Sequence, residues 1–332
     1  MELYTAAEFA FRAPMNPREI VAKAWTITTR EDVLRKWGFA SAFCETIIKT
    51  QFLVYQGWIL YSYIILKNHG EFFGTATKAL MDLPIWLTIL IATFAGLVMI
   101  LEWLFPHFAK GAIVGLAAKS YRKEEMKGGL VLAVYNFFPL FAVHQLLFVS
   151  SITTAITMCS FLLRYGSVAA IPGVIIVLIA WMISNILEFF WVFSEEAIVL
   201  RKVGIGAAIR RSCKLVISYL GHIVFIMLLL FVIMLRIIAN LLMVIIIPGA
   251  VLGIGFLLAL FLPPTISYSL AALLGVGIIL AASYLFAYLE IFRQTVWTLT
   301  FMELDQLKDL DIIDMDGKPA AKVANEAEEQ TA

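Results

Sequence analysis

Three glutamates recur in one setting, near the ends of long apolar segments. Glu102, Glu188 and Glu290 each follow a leucine and precede bulky apolar residues. A carboxylate at membrane depth is costly, since insertion scales give about 2.5–3.5 kcal/mol for a central Asp. Gathered at one depth, such groups could form a proton or cation relay or a head-group site. Their placement near helix ends favours the alternative of interfacial carboxylates that are solvated or paired with basic residues.

Basic side chains near these glutamates are their candidate partners. Arg293 follows Glu290 by three residues, which places both on one helix face. Lys110 and Arg201 are the other candidates. A partner is expected because the dipole of a helix disfavours a carboxylate near its C-terminus.

Each glutamate-bearing segment is preceded by an apolar segment with a tyrosine near its start. The loops before the second and third tyrosine-bearing segments also match in sequence. Ala112-Ile113-Val114 precedes Leu130 by the same spacing that separates Ala197-Ile198-Val199 from Leu215. The pattern predicts three copies of one hairpin unit. The copies cover about 16–105, 106–193 and 194–302, and the tyrosines are Tyr55, Tyr135 and Tyr219.

Two polar segments of the chain are rich in basic residues. An amphipathic basic segment beside a membrane suits anionic lipid head groups, at about 1 kcal/mol per basic residue. The alternative is the ordinary positive-inside bias of any multi-pass protein. In the second segment, Gly204 and Gly206 predict two short helices. The head-group candidates are Lys119, Arg122, Lys123, Arg201, Lys202, Arg210, Arg211 and Lys214.

The elements that position these residues are predicted to be membrane-spanning helices. The chain of 332 residues is 62% hydrophobic, against about 45–50% for soluble domains. The stretches 129–163 and 165–187 contain no Asp, Glu, Lys or Arg. Because about 20 apolar residues cross a bilayer as a helix, the fold class is an all-α polytopic membrane bundle.

Six spans are predicted, arranged as three hairpins. The N-terminal region 1–38, both basic loops and the tail 303–332 should face the cytoplasm, by the positive-inside rule. The protein should therefore lie in the cytoplasmic (inner) membrane. The spans are about Thr50–Leu66, Leu83–Phe105, Leu130–Ser151, Val168–Phe193, Val216–Leu235 and Ser267–Met302.

Two further segments need separate interpretation. The charge-free stretch 237–262 could span alone, but Pro248-Gly249 favours a broken or re-entrant segment. The tail 303–332 is acidic, and it is expected to extend the last helix to about Leu310 and then to be disordered.

Motifs of catalysis and metal binding are missing from the sequence. It contains no phosphate-binding loop, no G-x-S-x-G elbow and no Cys-x-x-Cys pair. We therefore expect no catalytic residue, no metal site and no cofactor. A net charge of +1 gives no indication of a nucleic-acid partner.

The segment 195–212 carries a family resemblance. Its Glu-Glu-Ala-Ile-Val and Ala-Ile-Arg-Arg-Ser runs before a helix resemble the bacterial YciC-like membrane proteins and the membrane domain attached to some glycerophosphodiester phosphodiesterases. The resemblance covers roughly 15–302 and implies a six-helix inner-membrane protein without the phosphodiesterase activity.

The function expected from these features is non-enzymatic. The chain should bind membrane lipids, or scaffold other membrane proteins, through its basic cytoplasmic face. One alternative is a transport component with a cavity between the repeats, because many transporters are built from internal repeats. A second alternative is an integral-membrane enzyme that modifies lipids.

Overall fold

The computed structural model describes residues 15–64, 83–147, 150–165, 170–235 and 263–310, and every regular element in these ranges is a helix. The all-α class is therefore confirmed. The helices are α1 (Pro17–Arg30), α2 (Asp32–Ile64), α3 (Ile85–Tyr121), α4 (Gly129–Leu146), α5 (Ile152–Tyr165), α6 (Ala170–Phe190), α7 (Ser194–Arg201), α8 (Ile205–Ser218), α9 (Leu220–Leu235) and α10 (Pro264–Leu310).

Several of these helices are long and apolar enough to cross a bilayer. Within the described ranges there are four such segments, in α3, α4, α6 and α10, and α8 with α9 would make a fifth if the bent pair is one span. Their apolar side chains are largely exposed, as Ile85, Phe94 and Ile176 illustrate. A surface of this kind is suited to lipid rather than water. The chain is therefore a multi-pass membrane protein.

The buried core lies where the spans continue into polar sequence. It includes most of α3 from Ala109 to Ala118, most of α7 from Ser194 to Val199, and most of α10 from Ile291 to Leu304. α10 has 47 residues, about 70 Å at 1.5 Å per residue, so it can cross a 30 Å hydrocarbon core and still reach this region. It packs on α1, α2 and α3 there.

Local sequence explains how this core begins. Asn16 caps α1, accepting a hydrogen bond from the Arg18 amide at 3.1 Å, and Pro17 occupies the first helical position. Both are favourable there because the first amides of a helix have no partner within it. α1 then buries Ile20, Ala24 and Ile27 against the body.

The connection after the third predicted span differs from the prediction. α4 ends at Leu146 rather than near Ser151, and 152–165 forms helix α5, packed on α6. Trp181 and Asn185 of α6 both donate to the carbonyl oxygen of Ser150, at 3.0 and 3.3 Å. These two bonds hold the turn that separates α4 from α5, which the sequence alone did not predict.

The second basic segment forms two short helices, as predicted, but glycine does not make the break. α7 ends at Arg201, and the residue that follows, Lys202, has a left-handed φ of 53°, while Gly204 is extended. Beyond α8 the chain bends by 93° into α9. α8 therefore runs nearly at right angles to the apolar helix that follows it.

Part of the predicted architecture lies outside the described residues. The stretch 237–262 and the tail beyond 310 belong to this part. The first predicted span falls in α2, which the structure describes as far as Ile64 and which is not among the candidate spans found in the described residues. The last helix reaches Leu310, as expected, and within it Asp305 is buried between two arginines.

Candidate functional site

The three repeated glutamates lie in different environments. Glu102 is 6% exposed and accepts a hydrogen bond from Gln51 of α2 at 3.2 Å. Pro106, four residues later, cannot donate the usual helical bond to its carbonyl. Glu290 pairs with Arg293 at 2.7 Å, the partner predicted from their spacing. Glu188 is exposed.

Two of the repeated tyrosines have described side chains, and these lie in different settings. Tyr135 is exposed on α4, and Tyr219 caps the end of α8 at the bend. Tyr55 lies in α2.

A partly buried ion pair forms where α3 meets α7. The Lys110 ammonium lies 2.6 Å from one carboxylate oxygen of Glu195 and 2.8 Å from the other. The sequence offered Lys110 as a partner for the repeated glutamates, and the structure gives it to Glu195 instead. The packing of α3 on α7 decides this pairing, since the two residues are 85 positions apart.

Glu196, the next residue, points towards α10. It is 1% exposed, and one of its carboxylate oxygens accepts a hydrogen bond from the Gln294 amide at 2.8 Å. Arg293 precedes Gln294 and brings the Glu290 pair to the same region. α7 thus places one carboxyl group against α3 and its neighbour against α10.

These contacts join into one electrostatic unit, which we call the buried charge cluster. Lys110 interacts with Glu195, Glu290 and Arg293, and Arg293 also interacts with Glu45 of α2. Four carboxyl groups thus face two basic groups, an excess of two acidic groups. The cluster consists of Glu45, Lys110, Glu195, Glu196, Glu290 and Arg293.

A serine on α8 fixes the position of α7 within this cluster. The Ser212 hydroxyl donates to the Phe190 carbonyl at 2.8 Å and accepts from the Phe193 amide at 3.0 Å. It therefore bridges the turn between α6 and α7. The first turn of α7 carries Glu195 and Glu196, a favourable place for carboxylates because the helix dipole is positive there.

Two of the predicted head-group residues are engaged inside the protein. Arg201 and Arg211 both bind the carboxylate of Asp305, which is 2% exposed, and the Arg201 distance is 2.6 Å. They join the end of α7 and the middle of α8 to α10. Their role in the structure is to hold these helices together, and sequence reasoning missed Asp305 because it lies in an acidic stretch.

The remaining basic residues divide into two groups. Lys202, Arg210 and Lys214 lie on or just before α8, are exposed and have no partner in the described part of the chain. At the end of α3, the Lys119 ammonium donates to the Lys127 carbonyl of the following loop at 2.7 Å. The other loop candidates, Arg122 and Lys123, are exposed.

A cavity of about 320 Å³ opens between the ends of α3, α7 and α10. Arg122, Arg201 and Asp305 supply its charged lining, and Phe301 and Met302 its apolar wall. Three helices end near this cavity, and their negative dipole ends favour basic side chains there. Among the described residues, no group of His, Cys, Asp or Glu is arranged to hold a metal ion.

Sequence reasoning missed Glu195, Glu196, Gln294 and Asp305 as site residues. The only signal was the adjacent pair of acidic residues at the start of the 195–212 segment. No family model, curated protein or solved structure matches the chain.

Proposed function

We propose that this multi-pass protein binds anionic lipid head groups at its cytoplasmic face through α8. The observation that carries the proposal is the 93° bend between α8 and the apolar α9. If α9 crosses the bilayer, α8 lies along the membrane surface. An amphipathic helix in this position can hold its basic residues at the level of the lipid phosphates.

The distribution of side chains on α8 supports this orientation. Ala208, Leu215 and Val216 are buried against the protein, whereas Arg210 and Lys214 are exposed. With Lys202 they form a patch of three basic residues, which we call the α8 patch. Each basic residue near an anionic surface contributes about 1 kcal/mol of binding free energy.

The first expected result concerns the α8 patch. Combined replacement of Lys202, Arg210 and Lys214 by glutamine should weaken the binding of phosphatidylglycerol about tenfold or more, because three phosphate contacts are lost. Native mass spectrometry of the full chain, incubated with phosphatidylglycerol or phosphatidylcholine, measures the retained lipid. Binding of phosphatidylcholine should not change, and added salt should weaken the wild-type preference.

A matched control comes from the loop after α3. Replacing Arg122, Lys123 and Lys127 by glutamine removes the same charge from a segment that is not helical. This variant should retain most of the phosphatidylglycerol binding. An equal loss in both variants would show that total charge, and not α8, determines the binding, and would contradict the proposal.

We also propose that the chain crosses the membrane six times, as three hairpins of a repeated unit, with both termini in the cytoplasm. The basic segments at 106–129 and 194–215 alternate with segments poor in lysine and arginine, which supports this orientation. The lengths of α3 and α10, which extend well past a bilayer, support a substantial cytoplasmic body.

Cysteine labelling in intact cells tests this topology. In a variant whose native Cys44, Cys159 and Cys213 are replaced by serine, Lys119→Cys and Gln330→Cys should not react with an impermeant reagent added outside. Both should react after the membrane is permeabilised.

The positive control for this experiment is Ser167→Cys, which lies between the third and fourth predicted spans and should react from outside. Reaction of Gln330→Cys from outside would mean an odd number of spans. The stretch 237–262 would then cross the membrane alone, and the six-span proposal would be wrong.

A further inference from the structure

Glu196 stands out among the buried groups because its carboxyl group is only half satisfied. One oxygen accepts the hydrogen bond from Gln294, and the other is fully buried with no hydrogen-bond partner in the described part of the chain. A buried carboxylate without full pairing is strongly disfavoured, because it loses its hydration and gains little in return. A neutral carboxylic acid avoids most of this cost.

The groups around Glu196 do not supply the missing positive charge. The nearest acidic neighbour is Glu195, and the Lys110 ammonium is already within 2.8 Å of both Glu195 oxygens. Arg293 is likewise paired with Glu290. Both basic groups of the cluster therefore have closer carboxylate partners than Glu196.

The helices packed against α7 bring further titratable groups towards this region. These helices are α3, α4, α8 and α10. These groups are His107 and Lys110 from α3, His144 from α4, Arg211 from α8, and Glu290, Arg293 and Asp305 from α10.

We infer that Glu196 is a proton-binding site, at which the buried charge cluster takes up and releases one proton per chain. The ligand is the proton itself. When it binds, the excess of negatively charged groups in the buried charge cluster falls from two to one, and no new contact is needed. Burial, followed by the charge of Glu195, raises the pKa of Glu196 to about 8. Proton release therefore falls near neutral pH. This inference goes beyond lipid binding and does not depend on it.

The sign of the pH effect follows from the raised pKa. Folding takes up a proton wherever the folded chain keeps Glu196 protonated and the unfolded chain does not, which is between 4.5 and about 8. Stability should therefore be greatest at the acid end of this range. It should decrease as the pH rises towards 8 and level off above it.

Thermal unfolding of the full-length protein in detergent measures this dependence. The wild-type melting temperature should fall by about 5 °C between about pH 6 and pH 8. Glu196→Gln keeps the shape of the side chain and its hydrogen bond to Gln294, with the new amide flipped if needed. The amide cannot take up or release a proton. Its melting temperature should change little over the same range. A Glu196→Gln variant that keeps the wild-type decline would overturn the inference.

Glu195→Gln is the matched control, since it removes an adjacent carboxylate that is paired with Lys110. The decline should persist in this variant but level off at a lower pH, because loss of the negative charge beside Glu196 lowers the pKa of its carboxyl group in the folded protein. Infrared spectroscopy gives a reading that needs no variant. The wild-type protein should show a protonated-carboxyl C=O band at about pH 6 that disappears at about pH 9, and absence of the band at about pH 6 would refute the proton site.

Discussion

Replacement of Asp305 by alanine is expected to destabilise the protein by about 3 kcal/mol. Asp305 is 2% exposed and binds both Arg201 and Arg211. Removing one partner of a buried ion pair costs about 3–5 kcal/mol, because the remaining charges stay buried without compensation. The lower end applies here, since Arg201 keeps contact with water. The loss of stability is measured by heating the full-length protein in detergent and determining the fraction that stays monodisperse.

Asp32→Ala is the matched control for Asp305→Ala. Asp32 also pairs with an arginine, Arg35, but its side chain is largely exposed. An exposed pair contributes about 0–1 kcal/mol, so this variant should survive heating nearly as well as the wild type. Equal losses in both variants would mean that the Asp305 contacts do not hold α7 and α8 to α10.

The helical membrane fold could be predicted from the sequence because it depends on local features. Charge-free apolar runs determine where helices can cross a bilayer, and α3, α6 and α10 begin within a few residues of the predicted positions. The Glu290–Arg293 pair was predictable for the same reason, since two residues three positions apart in a helix lie on the same face. α5 was not predicted, because polar side chains on a different helix, α6, fix the turn before it.

The buried charge cluster could not be predicted in this way. Apart from Glu290–Arg293, its contacts join residues about 85 to 100 positions apart, as in Lys110–Glu195 and Glu196–Gln294, and such contacts depend on how α3, α7 and α10 pack. Composition also pointed in the wrong direction for Asp305, because an acidic stretch usually remains in solvent. Its burial became evident only once the arginines of α7 and α8 were placed beside it.

The close approach of α3 and α4 depends on two glycines, Gly111 and Gly115, spaced as in the G-x-x-x-G motif of membrane helix pairs. A Cβ atom on Gly111 would lie 3.0 Å from the backbone oxygen of Leu132 and 3.3 Å from the side chains of Asn136 and Leu140. One on Gly115 would lie 2.6 Å from a Leu132 methyl group. A backbone oxygen cannot move aside as a side chain can, so Gly111 is the more restrictive position.

Gly111→Leu is therefore expected to separate α3 from α4 and to destabilise the protein by about 3 kcal/mol, at the upper end of the usual cost of overpacking. Lys110 is the adjacent residue, so the same change should also disturb its pair with Glu195 and alter the pH dependence of unfolding. Gly96→Leu is the control on the same helix, because a Cβ atom there meets nothing within 4 Å. It should be nearly neutral in the same heating experiment. If Gly111→Leu is as stable as Gly96→Leu, α3 and α4 are not packed in the way described.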